Sequence, residues 1–118
     1  MDIKRFSELV GLSPYTLRYY EKIGLIRNVN RDPSGRRLYL DKDTDWMQFI
    51  IRLKETGMPL NAIKEYSKLR YQGESTLEAR KELLEEHRIY LKAELEKQER
   101  HLSALDAKID FYERELKA

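Results

Sequence analysis

Apolar residues recur at helical spacing over most of this chain, and glycine, proline and asparagine interrupt them at a few points that divide it into elements. Gly11-Leu12-Ser13-Pro14 reads as a turn between two helices. Gly11 can leave the first helix in a left-handed conformation, Ser13 can cap the next, and Pro14 suits its first position. The second helix is predicted from Pro14 to about Ile23, with Gly24 stopping it. At ~100° per residue, Leu17 and Tyr20 fall on one side of that helix, facing a core, while Tyr15, Arg18, Tyr19 and Lys22 cluster on the other.

Arg31-Asp32-Pro33-Ser34-Gly35 is a turn cluster, and Arg36-Arg37-Leu38-Tyr39-Leu40 alternates as a short strand should. This pattern predicts a basic hairpin in which Leu38 and Leu40 face inward and Arg37 and Tyr39 face outward. A third helix follows. Asp41, Asp43 and Asp45 suit its positive dipole end, and Trp46, Phe49, Ile50 and Leu53 form an apolar stripe at i, i+3, i+4 and i+7. Trp46 reads first as core and second as the wall of a ligand pocket. Gly57 ends this helix, and Met58-Pro59 opens a fourth carrying Leu60, Ile63 and Tyr66.

Ser75 and Glu78 are spaced as a capping box at the start of a last helix that continues without Gly or Pro to about Leu116. At ~1.5 Å per residue such a helix extends roughly 60 Å. Leu91, Leu95, Gln98, Leu102, Leu105, Ile109, Tyr112 and Leu116 alternate steps of four and three along it, the seam of a coiled coil with one polar interruption. The register continues backward through Leu77, Lys81, Leu84 and Arg88, where the cations weaken it and packing on the globular helices is expected instead. The Glu85-Glu86 and Glu94/Glu96/Glu99 groups read as the solvated face, pairing with Lys92, Lys97 and Arg100.

Two cations and two phenols on one exposed helix face, followed by a basic hairpin, point to double-stranded DNA. Arg and Lys neutralise phosphates, Tyr hydroxyls donate to phosphate oxygens, and an exposed helix fits the major groove. Charge is distributed to match. The net +2 divides into 14 Lys/Arg against 9 Asp/Glu in residues 1–73 and 9 against 12 in residues 74–118, so the basic half is the DNA-facing half. The 118 residues, 41% of them hydrophobic, suit one small domain with an extension. Asp2 to Arg5 is polar and no apolar run approaches a membrane span, which predicts a cytoplasmic protein with no membrane partner. The chain contains no cysteine, excluding disulfides, thiolate metal sites and thiol switches. His87 and His101 lack ligand-spaced companions and read as surface residues. No nucleophile-base pair, phosphate-cradling loop or metal spacing appears, so neither catalytic residues nor a cofactor is expected.

The order of these elements, with SPYTLRYYEKIGLI, the SGRRLY hairpin and DKDTDWMQFIIRLKETGMPLNAIKEY, resembles the MerR family of bacterial transcription regulators along the whole chain. The resemblance implies a mainly α fold, with a winged helix-turn-helix DNA-binding domain at 1–73 and a dimerisation helix at 74–118 in an antiparallel coiled coil. It places Arg18 and Tyr19, accompanied by Tyr15, Thr16 and Lys22, where the recognition helix meets DNA. Arg36, Arg37 and Tyr39 fall in the first wing, and the fourth helix, with Lys64 and Lys68, falls in the second. The dimer seam becomes Leu91, Leu95, Leu102, Leu105, Ile109, Tyr112 and Leu116. As partners it implies an inverted-repeat operator, a second copy of the chain and RNA polymerase, which engages promoter elements once their over-long spacer is bent and untwisted.

Two departures restrict the mechanism that the resemblance implies. The family's metal sensors carry cysteines around Ser75, and its aldehyde- or electrophile-sensing branch carries one in the third helix, where Arg52 stands here. The QFIIRLKETGM stretch resembles that second branch, without its thiol. No drug-binding domain is expected after the coiled coil, so a small-molecule effector, if one exists, is expected near helices three and four, among Trp46, Phe49, Tyr66, Tyr71 or Tyr90. The alternative function is an architectural or DNA-tethering protein whose coiled coil recruits a protein partner.

Overall fold

The computed structural model describes residues 1–118. Its elements are α1 (Ile3–Val10), α2 (Pro14–Lys22), β1 (Asn30–Arg31), β2 (Arg37–Leu38), α3 (Asp41–Glu55), α4 (Leu60–Gln72), a 3-10 turn (Glu74–Thr76) and α5 (Leu77–Lys117). One compact unit comprises Met1–Leu83, and residues 84–118 form a second.

In the first unit, α1 packs on α2 and α3, and α3 packs on α4. The α1–α2 turn forms as its residues dictate. Gly11 lies at φ 76° with its N–H on the Ser7 carbonyl, and the Ser13 hydroxyl accepts from the Thr16 N–H at 3.1 Å. The Ser7 hydroxyl also donates to the Leu12 carbonyl, closing the turn. The core gathers Phe6, Leu17, Leu25, Ile26, Met47, Ile50 and Ile63, each at most 1% exposed.

The segment after α2 is stitched to α4. The Ser67 hydroxyl donates to the Gly24 and Leu25 carbonyls at 2.7 and 3.1 Å, the Trp46 indole N–H donates to the Leu25 carbonyl at 2.8 Å, and the Tyr71 hydroxyl accepts from the Arg27 N–H at 3.0 Å. These bonds satisfy polar groups that would otherwise be costly to bury. Gly24 holds φ 85°, a left-handed conformation that favours glycine. Trp46 is a core residue, stacked on Tyr66 with ring centroids 5.8 Å apart.

The hairpin corrects the expected faces. Tyr39 is buried, 1% exposed, and stacks on Phe6 at 4.1 Å, whereas Leu38 and Leu40 are 37% and 41% exposed. Burial alternates from Arg36 to Leu40, with its phase opposite to the expected one. The N-terminus fixes the orientation: the Met1 amino group donates to the Tyr39 carbonyl and the Tyr39 N–H to the Met1 carbonyl, both at 2.7 Å. Burial pushes the Tyr39 phenol above its ordinary pKa, and its hydroxyl has no hydrogen-bond partner.

The expected Ser75–Glu78 capping box does not form. The 3-10 turn leads into α5, and Thr76 rather than Ser75 makes the bonds, donating to the Leu69 and Gly73 carbonyls at 2.6 and 2.7 Å. Arg80 Nε donates back to the Thr76 hydroxyl at 3.1 Å. Along the second unit every seam residue from Leu91 to Leu116 is exposed in the single chain, for example Leu102 at 59% and Leu105 at 61%. The ion pairs formed on this helix include Arg88–Glu85 at 4.0 Å and Arg114–Asp110 at 3.9 Å, not the expected pairing of Glu94, Glu96 and Glu99 with Lys92, Lys97 and Arg100. No helix is long and apolar enough to cross a membrane.

Candidate nucleic-acid interface

Helix α2 presents two faces set by its periodicity. Leu17 and Tyr20 are buried, while Tyr15 is 79% and Tyr19 44% exposed, with Arg18 and Lys22 exposed beside them. Tyr20 is held from behind by Lys54, whose ammonium donates to the phenol oxygen at 2.8 Å. Thr16 is engaged in the helix cap, its Oγ1 accepting from the Ser13 hydroxyl at 3.0 Å, so it contributes to the start of the helix as much as to its surface.

The hairpin is locked against this helix by Glu21. Its carboxylate accepts from Arg31 at 2.8 Å and from Arg37 at 3.1 Å, and these two arginines are direct cross-strand neighbours. Like charges opposite one another would drive the strands apart. The shared carboxylate turns that repulsion into a clamp between α2 and the hairpin. At the tip, Asp32 accepts from the Ser34 hydroxyl at 2.6 Å and from the Ser34 and Arg36 N–H groups at 2.9 Å. The Ser34 bond foremost, then the Arg36 N–H, holds the Asp32 carboxyl below its ordinary range. The Arg36 side chain stays 82% exposed.

Arg18, Arg36 and Arg37 come together around a groove of about 530 Å³ between the start of α1, helix α2 and the hairpin, with Lys4 and Leu38 also lining it. Two carboxylates reach it, and both are committed: Asp2 accepts from the Arg5 N–H at 2.9 Å, and Asp32 holds the hairpin tip. A basic groove of this kind can hold a phosphate backbone.

Residues 1–69 match the MerR HTH family regulatory protein description, and residues 44–111 match MerR, DNA binding. The chain belongs to the MerR family. This MerR-family regulator is 39% identical over 108 residues to an uncharacterized HTH-type transcriptional regulator of Haemophilus influenzae, covering 92% of this chain and 80% of that one. It is 41% identical to the HTH-type transcriptional regulator AdhR of Bacillus subtilis over 75% of this chain and 63% of that protein. Among solved structures, a putative MerR family transcriptional regulator from Listeria monocytogenes matches with a TM-score of 0.91 and 42% identity, covering 96% of this chain and 86% of that one. HiNmlR, a MerR family regulator lacking the sensor domain and bound to promoter DNA, matches with a TM-score of 0.87 and 37% identity, covering 96% and 90%.

Within this MerR-family head, the expected surface residues Tyr15, Arg18, Tyr19, Lys22 and Arg36 are available to a ligand. Arg37 is tied to Glu21, and Tyr39 is not available at all. Sequence periodicity missed Lys4, which lines the groove, and Glu21, whose partners lie 10 and 16 residues away. Lys4 left a signal in the basic N-terminal stretch, whereas Glu21 left none. Tyr39→Phe is therefore expected to leave DNA binding unchanged and to raise stability by about 1 kcal/mol, because an unpaired buried donor costs roughly 1–3 kcal/mol. Urea unfolding at constant slope reads the gain; weaker DNA binding at unchanged stability would return Tyr39 to the surface.

Proposed function

We propose that this MerR-family transcription regulator binds an inverted-repeat promoter operator as a homodimer and distorts the DNA between the promoter elements, so that RNA polymerase can engage both. The observation that carries the reading is the exposed cationic and phenolic face of α2 beside the groove lined by Arg18, Arg36 and Lys4. Arg18 and Tyr19 serve as the principal contacts, with Tyr15, Thr16, Lys22, Arg36 and Arg37 around them. The promoter DNA bound by HiNmlR, a MerR family regulator, supports promoter binding. Two-fold operator symmetry then follows from two-fold protein symmetry, and phosphate contacts offset the deformation energy of the DNA. The working division is residues 1–73 for DNA and 74–118 for dimerisation, in a cytoplasmic protein without catalytic activity.

In an antiparallel pair, full overlap of the eight seam positions from Leu91 to Leu116 gives the register. Leu102 packs against the partner's Leu105, Leu95 against the partner's Tyr112, Leu91 against the partner's Leu116, and Gln98 against the partner's Ile109, which keeps each a position opposite a d position.

The signal is non-covalent, or set by DNA and polymerase alone, since Arg52 occupies an exposed position on α3 and the chain has no thiol. Transcription from a purified promoter tests both statements. The protein is expected to change transcript yield from a template carrying the inverted repeat between its promoter elements, and aldehydes, diamide, zinc or copper are expected to add no saturable response. Binding without any change in yield would favour a DNA-tethering protein, and a covalent adduct on this chain that tracks activation would overturn the non-covalent reading.

A further inference from the structure

Away from the groove, a second, smaller cavity of about 110 Å³ opens between the segment after α2, the first turn of α3 and the last turn of α4. Its lining carries three cations and one carboxylate, a net positive charge. Arg27, Lys42 and Arg70 line it, and its one carboxylate, Asp43, is 7% exposed and already accepts from the Leu40 N–H at 2.9 Å. The first turn of α3 adds the positive end of a 15-residue helix.

Arg27 and Arg70 both lie against aromatic rings. The Arg70 guanidinium lies 4.3 Å from the Trp46 ring centroid and 5.4 Å from that of Tyr71. It makes no ion pair, so its donors are unspent. Arg27 sits 5.7 Å from the Tyr71 ring with its Nε bonded to the Gly24 carbonyl at 3.1 Å, which fixes its direction and leaves the terminal nitrogens open. Planar, ring-stacked guanidinium groups are pre-organised for oxyanions, because little rotamer freedom remains to be lost on binding. Asn28, at the rim, is the chain's one non-glycine residue with positive φ, at 57°.

Size narrows the ligand. The cavity falls short of the approximately 300 Å³ typical of drug-sized sites, which favours a small ligand. We infer that this cavity is a binding site for a small free oxyanion, inorganic phosphate or a carboxylate, clamped between Arg27 and Arg70. This goes beyond the promoter-binding reading and does not depend on it.

Trp46 is the single tryptophan of the chain and lies directly under Arg70, so its fluorescence reports on the site. Inorganic phosphate and acetate, titrated separately into the full-length protein at constant pH and ionic strength against chloride, are each expected to change Trp46 emission saturably. Arg70→Gln and Arg27→Gln are each expected to weaken the phosphate response at least tenfold, while Lys97→Gln, an exposed cation on α5 outside both cavities, leaves it unchanged. Near-UV circular dichroism of the variants confirms that the core persists, and phosphorus NMR line broadening gives a readout independent of Trp46. A response equal to that of chloride, or an Arg70→Gln variant that binds phosphate as the wild type does, overturns the inference. So does an Arg70→Gln variant that loses DNA affinity while its phosphate titration is unchanged, which would assign the cations to the DNA backbone.

Discussion

Replacing Leu102 and Ile109 together by glutamate is expected to convert the protein to monomers and to lower operator affinity by about 10²- to 10⁴-fold, the range forfeited when two linked binding events become one. In the single chain Leu95, Leu102, Leu105 and Ile109 are each 54–61% exposed along one line of α5. Such a line of aliphatic side chains is stable in water only when a partner covers it. Leu102 lies in the central pair of layers and Ile109 faces the partner's Gln98, so the two glutamates place four unpaired carboxylates in the dimer seam. The head should stay folded, since its core lies within Met1–Leu83. Sedimentation of the variant reads the assembly and circular dichroism reads the fold; a dimer of unchanged stability would refute the seam.

The cysteine-free background allows the direction of pairing to be read as well. Leu95→Cys with Tyr112→Cys should cross-link the antiparallel dimer under oxidation, whereas Leu95→Cys alone should not, because its symmetry mate lies 17 residues along the helix, about 25 Å at ~1.5 Å per residue.

Arg18→Ala carries the second large effect. Arg18 is exposed on the face opposite Leu17, which is fully buried, so truncating it takes a cation away from the DNA without opening the core. A hydrogen bond to a charged group is worth about 1.5–3 kcal/mol, or roughly tenfold to a hundredfold in affinity at each half-site. If the partner is a phosphate, the slope of log affinity against log salt also falls in magnitude by about 0.9 for each phosphate that is no longer neutralised. Tyr19→Phe, which removes only a hydroxyl, should cost less and leave the slope unchanged. A gel-shift titration in which Arg18→Ala behaves as wild type would remove α2 from the interface.

What could be read from the sequence was local and periodic. Gly11, Ser13 and Pro14 dictate the helix-turn-helix corner through their own backbone preferences, and the split of α2 into a Leu17/Tyr20 face and an Arg18/Tyr19 face follows from 3.6 residues per turn. The exposed apolar line of α5 was legible for the same reason. The inward face of the hairpin was not, because alternation alone does not say which of its two sets of residues is buried. There the decision fell to the Phe6–Tyr39 stack and to the bonds between Met1 and Tyr39, both between residues more than 30 positions apart. Ser75 has the spacing of a capping box, but the chain enters α5 through a 3-10 turn in which Thr76 is the buried residue. Glu21 gave no sign in the sequence because an ion pair across the fold has no period.

The most direct test of promoter binding by a two-headed dimer is a hydroxyl-radical footprint of the wild-type protein on a DNA fragment carrying an inverted repeat between promoter elements. Two recognition helices related by a two-fold axis should protect two symmetric patches of backbone, separated by a whole number of helical turns, with the hairpins extending each patch outward. Altered cleavage between the patches would register the distortion of the spacer. A single unsymmetrical patch, or uniform protection independent of the repeat, would contradict it.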